Sequence, residues 1–215
     1  MRGAPSTARR SAAALLGALS FVAGMSAYGG ELEKLSVTRK GDVYEVRVRM
    51  RLDAPASEVF RVLTDYAHVY RLNPSITESL ILPPAEDGSI RVRTHVEDCI
   101  AFICLGFTRV ERLRETGPGE LHAEIEPDSS DFRSGESHWK VMDRHGSALV
   151  TYEGRMTPGF SLPPLIGPAV MKRKLEEHIL TTFARMECIA RLRNRIAADK
   201  PVARGTNGGS GRCAG

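Results

Sequence analysis

Apolar and charged residues alternate strictly along residues 43–52. One side of this alternation is apolar and consists of Tyr44, Val46, Val48, Met50 and Leu52. Every residue between them is charged, and a period of two with charged outward positions is typical of an antiparallel strand buried on one face. Gly41-Asp42 is a turn signal in front of this strand, so we expect residues 35–39 to pair with it.

Further short segments with the strand pattern follow from residue 76 onwards. In residues 90–96 the alternation predicts that Ile90, Val92, Thr94 and Val96 point inwards. Turn-like clusters of Gly, Asp and Pro separate these segments. The pattern therefore predicts a meander of antiparallel hairpins with strands at 76–82, 90–96, 106–113, 121–125, 137–142 and 148–156.

Two helical segments flank this run of strands. Residues 53–58 place a proline and acids at a helix start, and the following apolar spacing predicts a short helix that ends near Asp65 or Tyr66. From Pro168 to about Ala197 apolar residues recur every three or four positions, which predicts one long amphipathic helix. Only this helix has enough apolar length to cover a curved sheet, and the wedge between them would form an apolar pocket.

The N-terminal residues have the three parts of a secretory signal peptide. Three arginines precede an apolar run over residues 12–23, and small residues follow it. The run is shorter than a membrane-spanning helix requires, although an uncleaved anchor is the alternative. We expect cleavage after Ala27, with Gly24 as the competing site. This predicts a periplasmic or secreted protein.

Charge and composition limit the functions and the organisation expected of the remaining chain. The formal net charge is +4, and the three arginines of the predicted signal peptide account for all but +1 of it. This balance is not that of a nucleic-acid-binding protein. Residues 199–215 are rich in Gly and poor in large apolar side chains, so we expect a disordered tail. One domain over residues 31–198 is the predicted organisation.

Several segments of this domain together resemble a known family. They are residues 43–52, 53–60, 65–66, Tyr70, 73–75, 127–132, Gly135, Trp139 and 163–175. They are similar to the START-like superfamily, which includes polyketide cyclases/dehydrases and coenzyme-Q-binding proteins, in an exported bacterial branch. The resemblance covers most of residues 35–195 and implies a helix-grip fold, the α+β architecture that the pattern also predicts. It does not specify a function, since the superfamily contains both binders and enzymes.

The predicted pocket suggests three functions. We expect it to be lined by Val46, Val48, Val92, Thr94, Trp139, Tyr152, Leu175, Ile179 and Phe183. The leading hypothesis is a monomeric protein that binds, and can transport, a hydrophobic small molecule such as a lipid, a quinone or a polyketide-like compound, without a cofactor. A polyketide cyclase or aromatase is the second, but it needs an acid or base among inward residues that are almost wholly apolar. A structural module with a filled core is the third.

Four cysteines are present, an even number that favours disulfides in an exported protein. Cys99 and Cys104 fall where two antiparallel strands oppose each other, within disulfide reach. We therefore predict that they form a disulfide, with two reduced cysteines as the alternative. A metal site that adds His95 lacks a fourth ligand at a recognised spacing, so we expect no metal. The pattern leaves the state of Cys188 and Cys213 open.

The hairpin between these cysteines has an unusual end. Chain reversals normally contain Gly, Asn or Asp, but this one is apolar throughout residues 100–103. Either Ile100, Phe102 and Ile103 contact a membrane surface or control access to the pocket, or the hairpin end folds back onto the long helix as core. The basic run 172–174 at the helix start would suit anionic lipid headgroups, or it is ordinary surface.

Other candidate groups give weak signals. His95, His122 and His138 fall on outward strand faces, and His178 stands beside a glutamate that it cannot face on a helix. The acidic residues Glu126, Asp128 and Asp131 could hold calcium or supply a proton, but their Ser and Pro neighbours are typical of a solvated connector. No nucleophile motif, phosphate loop or zinc motif is present.

Overall fold

The computed structural model describes residues 30–100, 103–161 and 167–199 together with Cys213. Its strands are β1 (Glu31–Lys40), β2 (Val43–Leu52), β3 (Ile76–Leu82), β4 (Ile90–Ile100), β5 (Ile103–Gly117), β6 (Glu120–Ile125), β7 (Phe132–Arg144) and β8 (Ser147–Pro158). They form a curved antiparallel sheet in the order β1-β2-β8-β7-β6-β5-β4-β3. Helix α1 (Ala56–Leu63) follows β2, and the long α2 (Pro168–Asp199) follows β8. The predicted α+β helix-grip fold is confirmed.

Strand β2 has the burial that its alternation predicts. The five apolar residues of its inward side are at most 4 % exposed, and the arginines between them are exposed. Val46 pairs with Val37 on β1, and Val48 pairs with Tyr152 on β8. The strand therefore carries apolar side chains into the core from a position next to the sheet edge.

The apolar stripe of α2 covers the sheet, as its spacing predicts. Phe183, Met186 and Ala190 are at most 1 % exposed. Between them on the helix, Glu187 is buried and accepts the backbone N–H of Asp53 at 3.1 Å. This bond holds the C-terminal half of α2 close to the end of β2.

Several strands are longer than the pattern predicts, β7 for example running from Phe132 to Arg144, and one residue that the pattern points inwards is exposed. Strands β4 and β5 extend to residues 100 and 103, because their pairing continues through Cys99 and Cys104 to the end of the hairpin. Ile90, predicted to point into the core, is 39 % exposed. The ladder between β3 and β4 ends one position later, at Leu82 and Arg91, so no neighbouring strand covers Ile90 on that side.

Parts of the predicted organisation lie outside the described residues. These are the signal peptide, residues 1–27, and most of the tail, residues 199–215. Within the tail Cys213 is described, and a disulfide joins it to Cys188 on α2. No helix in the described ranges is long and apolar enough to cross a membrane.

Candidate ligand cavity

A cavity of about 250 Å³ lies between the sheet and α2. Strands β2 to β8 contribute to its walls, together with the 3₁₀ segment Tyr66–Arg71 and the residues of α2 from Leu175 to Phe183. An apolar protein cavity of about 150 Å³ stays free of water and binds benzene. The cavity between the sheet and α2 therefore fits a ligand moderately larger than a single aromatic ring.

The structure places eight of the nine predicted pocket residues on the cavity wall. They are Val46, Val92, Thr94, Trp139, Tyr152, Leu175, Ile179 and Phe183. Val48 is the exception, because it is buried in the core cluster and does not line the cavity. Helix α2 packs against β1 and β2, and near its Glu187 side chain Gly30 lies close to both Glu187 and Met50.

Aromatic side chains form much of the apolar wall. The Trp139 ring lies 4.4 Å from the Tyr152 ring and 5.9 Å from the Phe183 ring, measured between centroids. Because Trp139 belongs to β7 and Phe183 to α2, this contact joins the sheet to the helix at the cavity wall. Phe107 and Phe132 make a second aromatic contact at 5.4 Å, and both also line the cavity.

The wall is more polar than the sequence predicts. Beyond Thr94 and Tyr152, it includes Asn73, Arg109, Glu111, Ser137, His178 and Thr182. Positions 107, 109, 111 and 113 of β5 all face the cavity, so this strand alternates aromatic, basic, acidic and aliphatic residues on its inward side. A pattern search that takes charge as a sign of an outward position assigns the two charged residues of this set to solvent.

Arg109 and Glu111 form an ion pair inside the cavity wall. The Arg109 Nε lies 3.0 Å from a Glu111 carboxylate oxygen, and the two side chains are only 26 % and 16 % exposed. The Nε–H is nevertheless buried without an aligned hydrogen-bond acceptor among the described residues. A guanidinium group carries five N–H donors, so this arginine can donate to an oxygen of a bound molecule.

Tyr152 belongs to the same polar region. Burial raises the pKa of its hydroxyl above the ordinary value, and Glu111 adds to the rise, whereas Arg109 and a hydrogen bond with Ser137 act in the opposite direction. The hydroxyl is therefore neutral at neutral pH and can donate a hydrogen bond. Three side chains from β5 and β8 thus place a cation, an anion and a neutral donor on one part of the wall.

A second polar group joins β4 to α2 beside the cavity, and its His178 lines the wall. The Asp98 carboxylate lies 2.5 Å from the His178 Nε2 and 3.2 Å from the Lys174 Nζ. Burial alone would raise the pKa of Asp98, but the hydrogen bonds and charges of His178 and Lys174 outweigh it and lower that pKa. The sequence assigned no role to His178, because its partner is 80 residues away on another element.

Asn73 makes another contact with the same part of α2. Its amide donates to the His178 carbonyl at 3.1 Å and to the Thr182 hydroxyl at 3.3 Å. Its own carbonyl oxygen accepts the backbone N–H of Ser75. The residue is 4 % exposed, so this fully used amide fixes the segment before β3 against the helix.

The structure contains the predicted disulfide between Cys99 and Cys104 and a second one between Cys188 and Cys213. At the hairpin end, Phe102 lies outside the described residues, nothing is described of the Ile100 side chain, and Ile103 is partly exposed. The predicted membrane contact of these residues therefore remains a prediction. In the described part of the chain, no group of three His, Cys, Asp or Glu side chains is arranged to hold a metal.

The acidic connector makes bonds within the protein. Glu126 pairs with Arg91 at 2.7 Å, which lowers the pKa of the glutamate despite its partial burial. Asp131 accepts the backbone N–H of Thr108 at 2.6 Å. Asp128 is exposed. Two of the three acids thus bind neighbouring parts of the chain, which favours the connector interpretation over calcium binding.

The curved sheet, the long helix and the cavity between them define a START-like protein of the helix-grip class. The family model described as "Polyketide cyclase / dehydrase and lipid transport" matches residues 44–189. The match covers more than half of the 215 residues, so the chain belongs to this family. A comparison with curated proteins finds no match.

Several solved structures have a fold similar to that of this chain. The Zhui aromatase/cyclase from Streptomyces sp. R1128 is 16 % identical, with 72 % of this chain and 98 % of that chain covered at a TM-score of 0.57. A START superfamily protein from Mycobacterium smegmatis is 18 % identical, with 66 % and 97 % covered at 0.53. A STAR-related lipid transfer protein from Xanthomonas axonopodis is 18 % identical, with 76 % and 98 % covered at 0.50. At these identities the similarity shows the fold alone.

Proposed function

We propose that this protein binds an amphipathic small molecule in the cavity between the sheet and α2. One observation carries the proposal: an apolar, aromatic-lined space has a strongly polar wall at Arg109, Glu111 and Tyr152. Ligand sites typically combine apolar lining with a few polar groups that fix the ligand's orientation. The apolar part of the ligand lies against Trp139 and Phe183, and an oxygen-bearing end faces Arg109.

The size of the cavity narrows the ligand class further. About 250 Å³ is below the range of roughly 300–1,000 Å³ found for sites that enclose drug-sized ligands. A long acyl chain or a large fused-ring compound would therefore need α2 to move away from the sheet. Compact oxygenated ring compounds, including quinone-like and short polyketide-like molecules, fit the cavity as it stands.

Native mass spectrometry of protein purified from its own cells tests this proposal. A bound small molecule should add a discrete mass to the wild-type protein, and denaturation should release it. A matched control is the Arg109→Met protein prepared in the same way, which should carry less of a ligand held by its oxygen. Recovery of an empty wild-type protein that also takes up no added aromatic ligand would contradict the proposal.

A cyclase or aromatase activity is the second candidate. The observation that favours it is the ion pair beside a neutral tyrosine, because Glu111 can accept a proton and Tyr152 can donate one within the same cavity. General acid–base catalysis requires such groups within reach of the substrate. Turnover of a linear polyketide by the wild type, with loss of turnover in both Glu111→Gln and Tyr152→Phe, would establish this function instead of simple binding.

We also propose that the protein is exported and that residues 1–27 are removed. The two disulfides support this location, because disulfides persist in oxidising compartments and are rare in the cytosol. N-terminal sequencing of the mature protein should begin close to Tyr28. We further propose that the domain of residues 31–198, with residues 199–215 as its tail, is a monomer. Sedimentation velocity measures this oligomeric state.

Contact with a membrane surface is proposed for Ile100, Phe102 and Ile103. It is supported by the apolar sequence at a hairpin end, where polar turn residues are usual. The basic run at the start of α2 supports it less, because Lys174 pairs with Asp98 and Lys172 with Glu176. Sedimentation with anionic vesicles, compared between the wild type and Phe102→Ser, tests this contact.

A further inference from the structure

The Cys99–Cys104 disulfide differs from the second disulfide in position and surroundings. Both of its cysteines are exposed, whereas Cys188 and Cys213 are partly buried. It closes a loop with a sequence separation of only 5 residues, against 25 for the other. A short closed loop constrains the unfolded chain least, so this bridge adds less to stability than the second one. We therefore expect its effect to be mainly local.

The residue next to this disulfide links the sheet to α2. Asp98 immediately precedes Cys99, and one of its carboxylate oxygens accepts the Cys99 backbone N–H at 2.8 Å. The same carboxylate binds Lys174 and His178 of α2 at 3.2 Å and 2.5 Å. The bridged end of the hairpin thus fixes the position of the carboxylate that holds the helix.

This link lies beside the cavity, whose wall includes His178. Thr94 and Val96 of β4 line it, and Asp98 is the next residue on the same side of that strand. On the helix, Leu175, His178 and Ile179 line the cavity from the opposite side. Within residues 174–183 of α2, the described polar contacts with other elements are those of Asp98 with Lys174 and His178 and those of Asn73 with the His178 carbonyl and the Thr182 hydroxyl.

We infer that the Cys99–Cys104 disulfide is a redox-sensitive modification site for a dithiol reductant, and that its reduction weakens the Asp98 link and speeds the exchange of ligand. The inference rests on the proposed function of the cavity. Exposed disulfides are the labile and regulatory ones, since a thiolate must reach one of the sulfur atoms.

The chemistry is ordinary thiol–disulfide exchange. A thiolate of the dithiol attacks the sulfur of one cysteine, and the other cysteine leaves as a thiolate that takes up a proton. The second thiol of the reductant then attacks the mixed disulfide and releases the first cysteine. The dithiol becomes a cyclic disulfide, and Cys99 and Cys104 become two thiols. Without the bridge, the end of the hairpin can separate and Asp98 loses its fixed position beside His178.

The first experiment measures the order of reduction. The oxidised full chain is titrated with dithiothreitol, free thiols are alkylated at each step, and the modified cysteines are identified by peptide mass. We expect Cys99 and Cys104 to be alkylated at lower dithiothreitol concentration than Cys188. Reduction of the Cys188–Cys213 bridge first, or of both bridges together, would overturn the inference.

The second experiment measures ligand exchange with the dye 1-anilinonaphthalene-8-sulfonate. We expect its dissociation rate to rise several-fold in Cys99→Ser/Cys104→Ser and in Asp98→Asn, with no further rise when the changes are combined, because both act through one link. Glu97→Gln and Cys188→Ser/Cys213→Ser are the matched controls and should leave the rate close to that of the wild type. Circular dichroism verifies that each variant is folded.

The outcomes separate this inference from the proposed function. Dye that binds the wild type but dissociates from Cys99→Ser/Cys104→Ser at the wild-type rate would overturn the inference and leave the proposed function standing. Additive effects of the two changes would show that the disulfide does not act through Asp98, which also overturns it. Absence of dye binding to the oxidised wild type would overturn the proposed function and the inference with it.

Discussion

Thr94 and Arg109 lie directly opposite each other on β4 and β5, and the Thr94 hydroxyl donates to the Arg109 carbonyl oxygen at 3.4 Å. Directly opposed residues of antiparallel strands share one face of the sheet. The inward position of Thr94 therefore brings an arginine to the cavity wall, and Val92 does the same for Glu111. This register is what makes the cavity amphipathic.

Replacing Arg109 by methionine should weaken the binding of oxygen-bearing ligands selectively. A hydrogen bond to a charged group contributes about 1.5–3 kcal/mol, which corresponds to a loss of roughly 10- to 100-fold in affinity. We expect this loss for 2-naphthol and an unchanged affinity for naphthalene, as measured by fluorescence titration. The pair shares the ring system and differs only in the hydroxyl group.

Two variants control this experiment. Arg112→Met removes an arginine that pairs with Glu124 and Glu126 and does not line the cavity, so it should change neither affinity. Arg109→Met/Glu111→Gln avoids leaving the glutamate unpaired in the wall and should behave like Arg109→Met. An equal loss of affinity for both ligands would mean that Arg109 shapes the cavity and does not recognise an oxygen.

The register of this hairpin could have been predicted from the sequence. The predicted disulfide sets Cys99 opposite Cys104, and counting back along both strands puts Thr94 opposite Arg109. The alternation rule instead assigns charged residues to the outward face, which holds for β2 but fails on β5, where the inward side includes an ion pair. Periodicity reports the average polarity of a face, so it does not reveal a polar pair on an otherwise apolar face.

The Asp98 link is different in kind and could not be predicted in this way. Strand and helix patterns specify each element by itself, and they identify the correct bounds for β2 and β3 and the start of α2. They do not specify how far along β4 the helix crosses. The contact between Asp98 and His178 depends on that crossing position, as does the exclusion of Val48 from the cavity.

Adding bulk on the two sides of the core should have unequal effects. Val48 is 2 % exposed and does not line the cavity, so Val48→Phe should lower the free energy of unfolding by about 1–3 kcal/mol through overpacking. Ile179 lines the cavity, so Ile179→Trp should cost clearly less and should reduce ligand uptake. Chemical denaturation and dye titration measure the two effects. Similar destabilisation by both changes would argue that the cavity is filled in solution.

Glu187 should tolerate loss of its charge but not loss of its oxygen atoms. Burial raises the pKa of this carboxyl, although the N–H groups of Asp53 and Gly30 and the charge of Arg191 act against the rise. The pKa of Glu187 is higher in the folded protein than in the unfolded chain. Its carboxylate therefore destabilises the fold increasingly as pH rises from the pKa of the unfolded chain to the pKa of the folded protein. Glu187→Gln removes this charge and keeps one of the two acceptor oxygens, so at pH 7 it should cost clearly less stability than the loss of both oxygen atoms.

The matched variant for this test is Glu187→Leu. It has a similar volume but leaves the backbone N–H of Asp53 without its acceptor, which should cost about 1–3 kcal/mol. Urea denaturation at pH 5 and pH 7 measures both variants. Equal destabilisation by glutamine and leucine would show that the charge itself, through Arg191, holds this part of α2.

Asp98 should contribute stability with the opposite pH dependence. Its pKa is lowered in the folded protein, because His178 and Lys174 outweigh the effect of burial. The carboxylate therefore stabilises the fold at pH values above its unfolded pKa, and this contribution disappears as pH falls through the folded pKa. Asp98→Asn should lower the free energy of unfolding by about 1 kcal/mol at pH 7, the upper part of the range for partly exposed ion pairs.

The difference between wild type and Asp98→Asn should shrink as pH falls below the unfolded pKa of Asp98 and through its lowered folded pKa, since the wild-type carboxylate then takes up a proton. The basic groups that face Asp98 are Lys174 and His178. Glu177 lies 3.6 Å from Lys174, so Glu177→Gln is a second variant that removes a carboxylate near the same lysine. Urea denaturation at pH 7, 5 and 3 gives the stability difference, and the ¹³C shift of the Asp98 carboxyl gives its titration directly.

Glu97→Gln, whose carboxylate contacts His95 and not α2, should change stability little at any pH. A stability loss in Asp98→Asn that is the same at pH 3 as at pH 7 would show that Asp98 holds the helix by packing, and that its charge is not what links β4 to α2.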